Sequence, residues 1–136
     1  MSTNGNPERR TFAKGTVIFR EGERGNEAYL VQKGTVRIFK TVHGKRVTLG
    51  QCRPFQVFGE LALLDDAPRM AAAEACEETT VMVLSKATIR EMLDSAAPGL
   101  TTLIQSLIGT MRVMGDELAA ARAQISELGS QAPANL

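Results

Sequence analysis

Between Phe12 and about Val83 the chain is built of short apolar runs separated by glycines. Val17-Ile18-Phe19, Tyr29-Leu30-Val31 and Val36–Phe39 are three such runs, with Gly15, Gly22, Gly25 and Gly34 marking the breaks. Val36, Ile38 and Lys40 alternate with Arg37 and Phe39, which predicts a half-buried strand. His43-Gly44 reads as an exposed hairpin turn into the next run, Arg46–Leu49. A last run, TTVMVLS, covers Thr79 to Ser85. Many short strands at close spacing predict a β-sandwich, jelly roll or barrel.

After Ser85 the period changes from strand to helix. SKATIREML opens with Ser85 as an N-cap, and Pro98-Gly99 breaks the chain again. Leu100, Ile104, Leu107, Met111, Met114, Leu118, Ala121, Ile125 and Leu128 then recur at spacings of four and three. That is the heptad seam of a two-helix coiled coil. With Ile104 at an a position, Glu117 falls at g and Arg122 at e, where partner helices exchange salt bridges. Leu103 and Ile108 widen the apolar face of the first half, which suits packing on the chain's own β domain. The second half, residues 114–128, is narrower and predicts a homodimer; packing of the whole helix in cis is the alternative. The expected organisation is a loosely held lead-in over 1–10, a mainly β unit with its first helix over 11–99, a long helix over 100–128 and a flexible tail over 129–136.

Composition narrows the function classes. A chain of 136 residues suits a single core. A net charge of +1 leaves no basic footprint for nucleic acid or anionic lipid. No apolar stretch approaches the roughly 18 residues of a membrane span. The polar start MSTNGNPERR lacks a signal-peptide core, and a reduced, cytoplasmic setting is expected. Cys52 and Cys76 have no metal-type spacing and read as small core residues. The single histidine, His43, sits at a turn, so no metal site and no nucleophile–base pair is expected. A non-catalytic protein without a cofactor follows.

The stretch FGELALLDDAPRMA, residues 58–71, carries the chemistry. Gly59 permits a close backbone approach, and ELALL forms one helical turn whose free N–H groups make an anion seat. Arg69 returns ten residues after Gly59 among alanines and Met70. Its guanidinium with two or three amides suits one phosphate, and Glu60 suits a sugar hydroxyl. An exposed pairing of Arg69 with Asp65 or Asp66 is the competing reading.

FAKGTVIFREGERGNEAYLVQKGTVRIF and FGELALLDDAPRMA, with the helical ending, resemble the cyclic nucleotide-binding domain family over about residues 11 to 128. The resemblance implies a jelly-roll-like β-roll followed by two C-terminal helices, B and C. It implies that Arg69 holds the cyclic phosphate with amides of Leu61, Ala62 and Met70 or Ala71. Glu60 would accept the ribose 2'-OH beside Gly59, with Phe58 opening the cassette. Leu61 and Leu63 would contribute side chains to the core, and Asp65 and Asp66 would be solvated. Met111, Arg112 and Met114 are candidates for a lid over the base. Two departures stand out. Phe55 occupies a position where the family usually has glycine. Met70 follows the arginine where cyclic-GMP-selective members often carry Thr or Ser, which favours cyclic AMP over cyclic GMP. The implied function is a regulatory sensor acting through its C-terminal helices on a protein effector. Only about eight polar residues follow Leu128, so no DNA reading by this chain is expected. The alternatives are the nucleotide-binding part of a transcription regulator or channel, and a degenerate non-binding interaction domain.

Overall fold

The computed structural model describes residues 8–130, with side chains through residue 128. Strands β1 (Arg9–Phe12), β2 (Val17–Phe19), β3 (Glu27–Lys33), β4 (Val36–Val42), β5 (Lys45–Cys52) and β6 (Val57–Phe58) precede a one-turn helix, α1 (Leu61–Leu64). Strands β7 (Ala72–Ala75) and β8 (Thr79–Ser85) follow, then helices α2 (Lys86–Asp94) and α3 (Leu100–Ser130). The strands form two antiparallel sheets, ordered β1-β8-β3-β6 and β2-β7-β4-β5. Between them lies a core of Phe19, Tyr29, Val31, Val36, Phe58, Ala73 and Val81. Each sheet hides one apolar face against the other, which is how a chain of short alternating strands escapes exposing its hydrophobic set.

The runs at 17–19 and 79–85 are strands over their whole length. His43 and Gly44 have φ of 51° and 78° and join β4 to β5 where Val42 pairs with Lys45. The alternation expected along β4 is interrupted. Ile38 faces Gly50 but Phe39 faces Thr48, so a bulge falls between them and the buried residues are Val36 and Phe39. The lead-in is shorter than expected. Arg9 and Arg10 already belong to β1, opposite Met82 and Val81, and Arg10 forks onto the Glu27 carboxylate at 2.8 and 2.6 Å.

Ser85 caps α2, its hydroxyl oxygen accepting from Thr88 N–H at 3.1 Å. Helix α3 is amphipathic in a different sense from the one expected. Ile108, Ala119 and Ala123 are buried, with Ile104 half-buried before them and Arg112 and Gly115 half-buried between them. This stripe lies on β4, β5 and α1, so the second half of the helix packs in cis as well as the first. Small side chains at 115, 119 and 123 let the helix approach the sheet closely. Arg122 donates to the Thr48 carbonyl at 2.8 Å instead of waiting at an e position. The larger seam residues Leu107, Met111, Met114, Leu118, Ile125 and Leu128 remain exposed on the outer side. The helix runs past the expected end at residue 128 to Ser130; residues 131–136 of the expected tail and 1–7 of the lead-in lie outside the described residues. No helix among the described residues is long and apolar enough to cross a membrane.

Candidate functional site

The cassette begins where the chain leaves β6. Gly59 has φ +83°, and a side chain there would lie 2.8 Å from Arg69 Nη1 and 3.1 Å from the Phe19 ring. Both the backbone angle and the space demand glycine. The Glu60 carbonyl then accepts from Leu63 and Leu64 N–H, each at 3.1 Å, and closes α1. The N–H groups of Leu61 and Ala62 open that turn ahead of any helical acceptor.

Arg69 is brought back by its own main chain. Its N–H donates to the Glu23 carbonyl and its carbonyl accepts from Gly22 N–H, both at 2.8 Å. The residue is 5% exposed. Nη1 donates to the Gly59 carbonyl at 2.6 Å and Nη2 to the Glu27 carbonyl at 2.7 Å. The guanidinium carbon lies 4.0 Å from the centre of the Phe19 ring, itself tilted against Phe58 and stacked with Tyr29. On another side it fills the space that a side chain at Gly25 would need. Nε has no partner, and no carboxylate among the described residues is within ion-pair distance. Burial lowers the pKa of the group, against the pull of Tyr29, Glu23, Glu27 and Glu60. A buried cation held only by neutral acceptors is expensive to maintain, and an arriving anion relieves it.

The two aspartates do not pair with Arg69; Asp66 is the exposed loop residue expected, whereas Asp65 is largely withdrawn from solvent. Asp65 accepts from Arg112 Nε and Nη2 at 2.6 and 2.9 Å and from Ala67 N–H at 3.1 Å. Burial alone would raise its pKa, but Arg112 and the amide outweigh burial and hold the carboxyl below its ordinary range. Asp66, with φ 59°, pairs with Lys86 and with Arg90 at 2.9 Å, which hold its carboxyl down. The turn between α1 and Arg69 is therefore tied to α2 through one aspartate and to α3 through the other.

A cavity of about 170 Å³ opens beside the guanidinium. Phe58, Gly59, Glu60, Leu61, Ala62, Arg69, Met70 and Ala71 all line it, so the structure gathers all of the cassette candidates around one space. Leu63 is buried, whereas Leu61 reaches the cavity. Burial pushes the Glu60 carboxyl above its usual range, against the attraction of Arg69. The lid candidates are elsewhere. Met111 and Met114 are exposed, and Arg112 is engaged with Asp65. Phe55 adopts a left-handed angle, φ 73°, and its side chain is 86% exposed.

The fold and this cavity agree with what known proteins share with the chain. The model of the cyclic nucleotide-binding domain matches residues 9–96. The chain belongs to that family. This cyclic nucleotide-binding domain is 41% identical over 78 residues to the cyclic AMP receptor protein of Thermus thermophilus, covering 57% of the chain and 36% of the relative. It is 36% identical over 91 residues to the cAMP-dependent protein kinase regulatory subunit of Pyricularia oryzae, covering 67% of the chain and 23% of the relative. The chain thus spans only about a quarter to about a third of the length of these relatives. Among solved structures, the cAMP-bound form of the EAL enzyme Bd1971 superposes with a TM-score of 0.79 at 26% identity, over 91% of the chain and 33% of the enzyme. The Thermus thermophilus catabolite activator protein gives 0.61 at 29% identity, over 90% of the chain and 55% of that one.

Several residues around the domain's cavity were not singled out from the sequence. The Glu27 carbonyl and the Phe19 ring hold Arg69, and Ile38, Cys52 and Val57 complete the wall. Cys52 is more than filler of the core, since its thiol, pushed up to about 11 by burial and then by Glu60, faces this space in an unreactive form. Backbone acceptors and apolar wall residues leave no signature in a single sequence. Gly25 was read only as a break between strands, and its close approach to Arg69 was not foreseen.

Proposed function

We propose that this domain is a cyclic nucleotide sensor whose preferred ligand is cyclic AMP. The observation that carries the reading is Arg69, buried, lining the cavity and without a counter-anion among the described residues. A cyclic phosphate diester supplies that anion as a single charge, and the amides of Leu61, Ala62 and Met70 or Ala71 supply further donors. Glu60, at the start of the same turn, accepts the ribose 2'-OH beside Gly59. Met70 offers nothing to the amino group of guanine, which supports adenine as the base. Solved relatives with cyclic AMP bound point the same way, although the EAL enzyme Bd1971 has also been solved with cyclic GMP. The domain is non-catalytic and works in the cytoplasm, where it passes occupancy to a protein effector through α2 and α3.

The outer seam of α3 supports a second element of this proposal. Met111, Met114, Leu118, Ile125 and Leu128 are exposed at heptad spacing. A second copy of α3 covers them in a parallel pair, with residues 114–128 at its centre.

Thermal unfolding with cyclic AMP, cyclic GMP and 5'-AMP tests the ligand. A compound that binds only the folded state raises the melting temperature by mass action. Cyclic AMP is expected to raise it most and 5'-AMP not at all. No shift with either cyclic nucleotide at millimolar concentration would refute the sensor reading.

A further inference from the structure

We infer that α3 positions the anion site, because Arg112 and Asp116 anchor the main chain on both sides of Arg69. This rests on the nucleotide reading above. Arg112 Nη1 donates to the Pro68 carbonyl at 3.2 Å while Nε and Nη2 fork onto Asp65. One turn further along the helix, Asp116 lies 3.2 Å from the ammonium of Lys40. That ammonium donates in turn to the Met70 carbonyl. The carbonyls immediately before and after Arg69 are thus both tied to the same face of one helix, the first directly and the second through Lys40.

Two further contacts make this grip specific. Gly115, between the two charged positions, leaves the space into which the end of the Met70 side chain extends. Lys40 keeps only 12% of its side chain exposed and also pairs with Glu21 at 3.2 Å, so its charge is fixed between the β2–β3 loop, the cassette and α3. The opposite side of Arg69 is held by the same loop, through Gly22 and Glu23. Residues 68–70 are therefore clamped between a loop and a helix. Arg112, Asp116 and Lys40 do not line the cavity. They act through Arg69 as positioning residues. A guanidinium already held in place loses less freedom when the phosphate arrives, so the clamp raises affinity. By reciprocity, a bound nucleotide steadies α3 on the domain.

Calorimetric titration of the full chain with cyclic AMP tests this in Arg112→Gln, Asp65→Asn, Asp116→Asn and the pairwise combinations. Arg112→Gln and Asp116→Asn should each weaken binding by about tenfold, within the range of ordinary site-to-site coupling. The R112Q/D65N double variant should bind no worse than the weaker single variant, because both changes break one contact. R112Q/D116N should lose the product of the two effects, because they release opposite ends of the segment. Stopped-flow displacement should place the losses in faster dissociation. Unchanged affinity in both single variants, tighter binding in either, or multiplied losses in R112Q/D65N would overturn the inference. If the wild-type chain binds no cyclic nucleotide, the sensor reading falls instead; if it binds and R112Q and D116N match it, only the positioning role falls.

Discussion

Replacing Arg69 with methionine separates what the residue does for the ligand from what it does for the fold. In the free protein its guanidinium makes two short bonds to carbonyls, at 2.6 and 2.7 Å. Hydrogen bonds from a charged donor contribute about 1.5–3 kcal/mol each. Against them stand several kcal/mol for burying a charge without a counterion, and about 1–3 kcal/mol for the unpartnered Nε. The two sides nearly cancel. Methionine keeps much of the apolar volume beside Phe19 and brings no charge. The stability of the free variant should therefore lie within about 2 kcal/mol of wild type, as when other buried ions are exchanged for apolar residues. Binding has no such compensation. Losing the cationic partner of a buried phosphate should weaken cyclic AMP by about 2–5 kcal/mol, or about 30-fold to several thousand-fold. Urea titration followed by circular dichroism reads the first quantity and calorimetry the second. A dissociation constant within threefold of wild type would remove Arg69 from the site. A loss of folding stability well beyond about 3 kcal/mol would show that the residue is chiefly a brace between β3 and the cassette.

Further expectations rest on three residues, Glu60, Phe55 and Leu118. Glu60 has a raised pKa, so cyclic AMP affinity should fall as pH drops through that value and the acceptor of the ribose hydroxyl is lost; Glu60→Gln should flatten the profile, and an identical pH dependence in the two proteins would exclude the role. The contribution of Glu60 to the stability of the free protein has the opposite sign. The folded state binds its proton more tightly than the unfolded chain, so this contribution increases as pH falls through the raised pKa, and Glu60→Gln should remove that component from urea titrations over the same window. Phe55 sits at φ 73° with its ring in solvent, so Phe55→Gly should stabilise the fold by roughly 0.5–1 kcal/mol, the relief of a left-handed angle less the entropy of glycine; a destabilised variant in the same urea assay would show that the ring has a partner. Leu118→Lys should convert a dimer to a monomer in analytical ultracentrifugation with the β domain intact, and a wild-type chain that is already monomeric at high micromolar concentration would eliminate the seam contact.

Much of the fold was legible because its strands are short and written in β-branched and aromatic residues. Val17–Phe19 and Thr79–Ser85 are bounded by turn residues and have little alternative to being strands. Ala72–Ala75 was not legible, since alanine carries little strand preference and the strand exists because the sheets close around small side chains. The bulge at Ile38 and Phe39 was hidden for a related reason: pairing register belongs to two strands at once. Along α3 the seam was visible as a repeat, but a periodic pattern does not say which stripe faces inward. The buried stripe turned out to be the one with glycine and alanines, which a hydrophobicity count undervalues. At the site, Glu60 and Arg69 announced themselves by type and spacing. The roles of Asp65, Asp66 and Arg112 depend on where two distant helices come to rest, and no local pattern encodes that.

The alanine-rich segment 71–75 has a consequence for how such a chamber changes over generations. Ala71 forms part of the wall beside the guanidinium, and Ala73 lies in the adjoining core. The methyl groups in that wall can be exchanged in small steps, each slightly narrowing or reshaping the interior without replacing the charged grip beside them. Which bulk fits and which charge is demanded are thus set by separate residues, and a lineage could retune the first while inheriting the second unaltered.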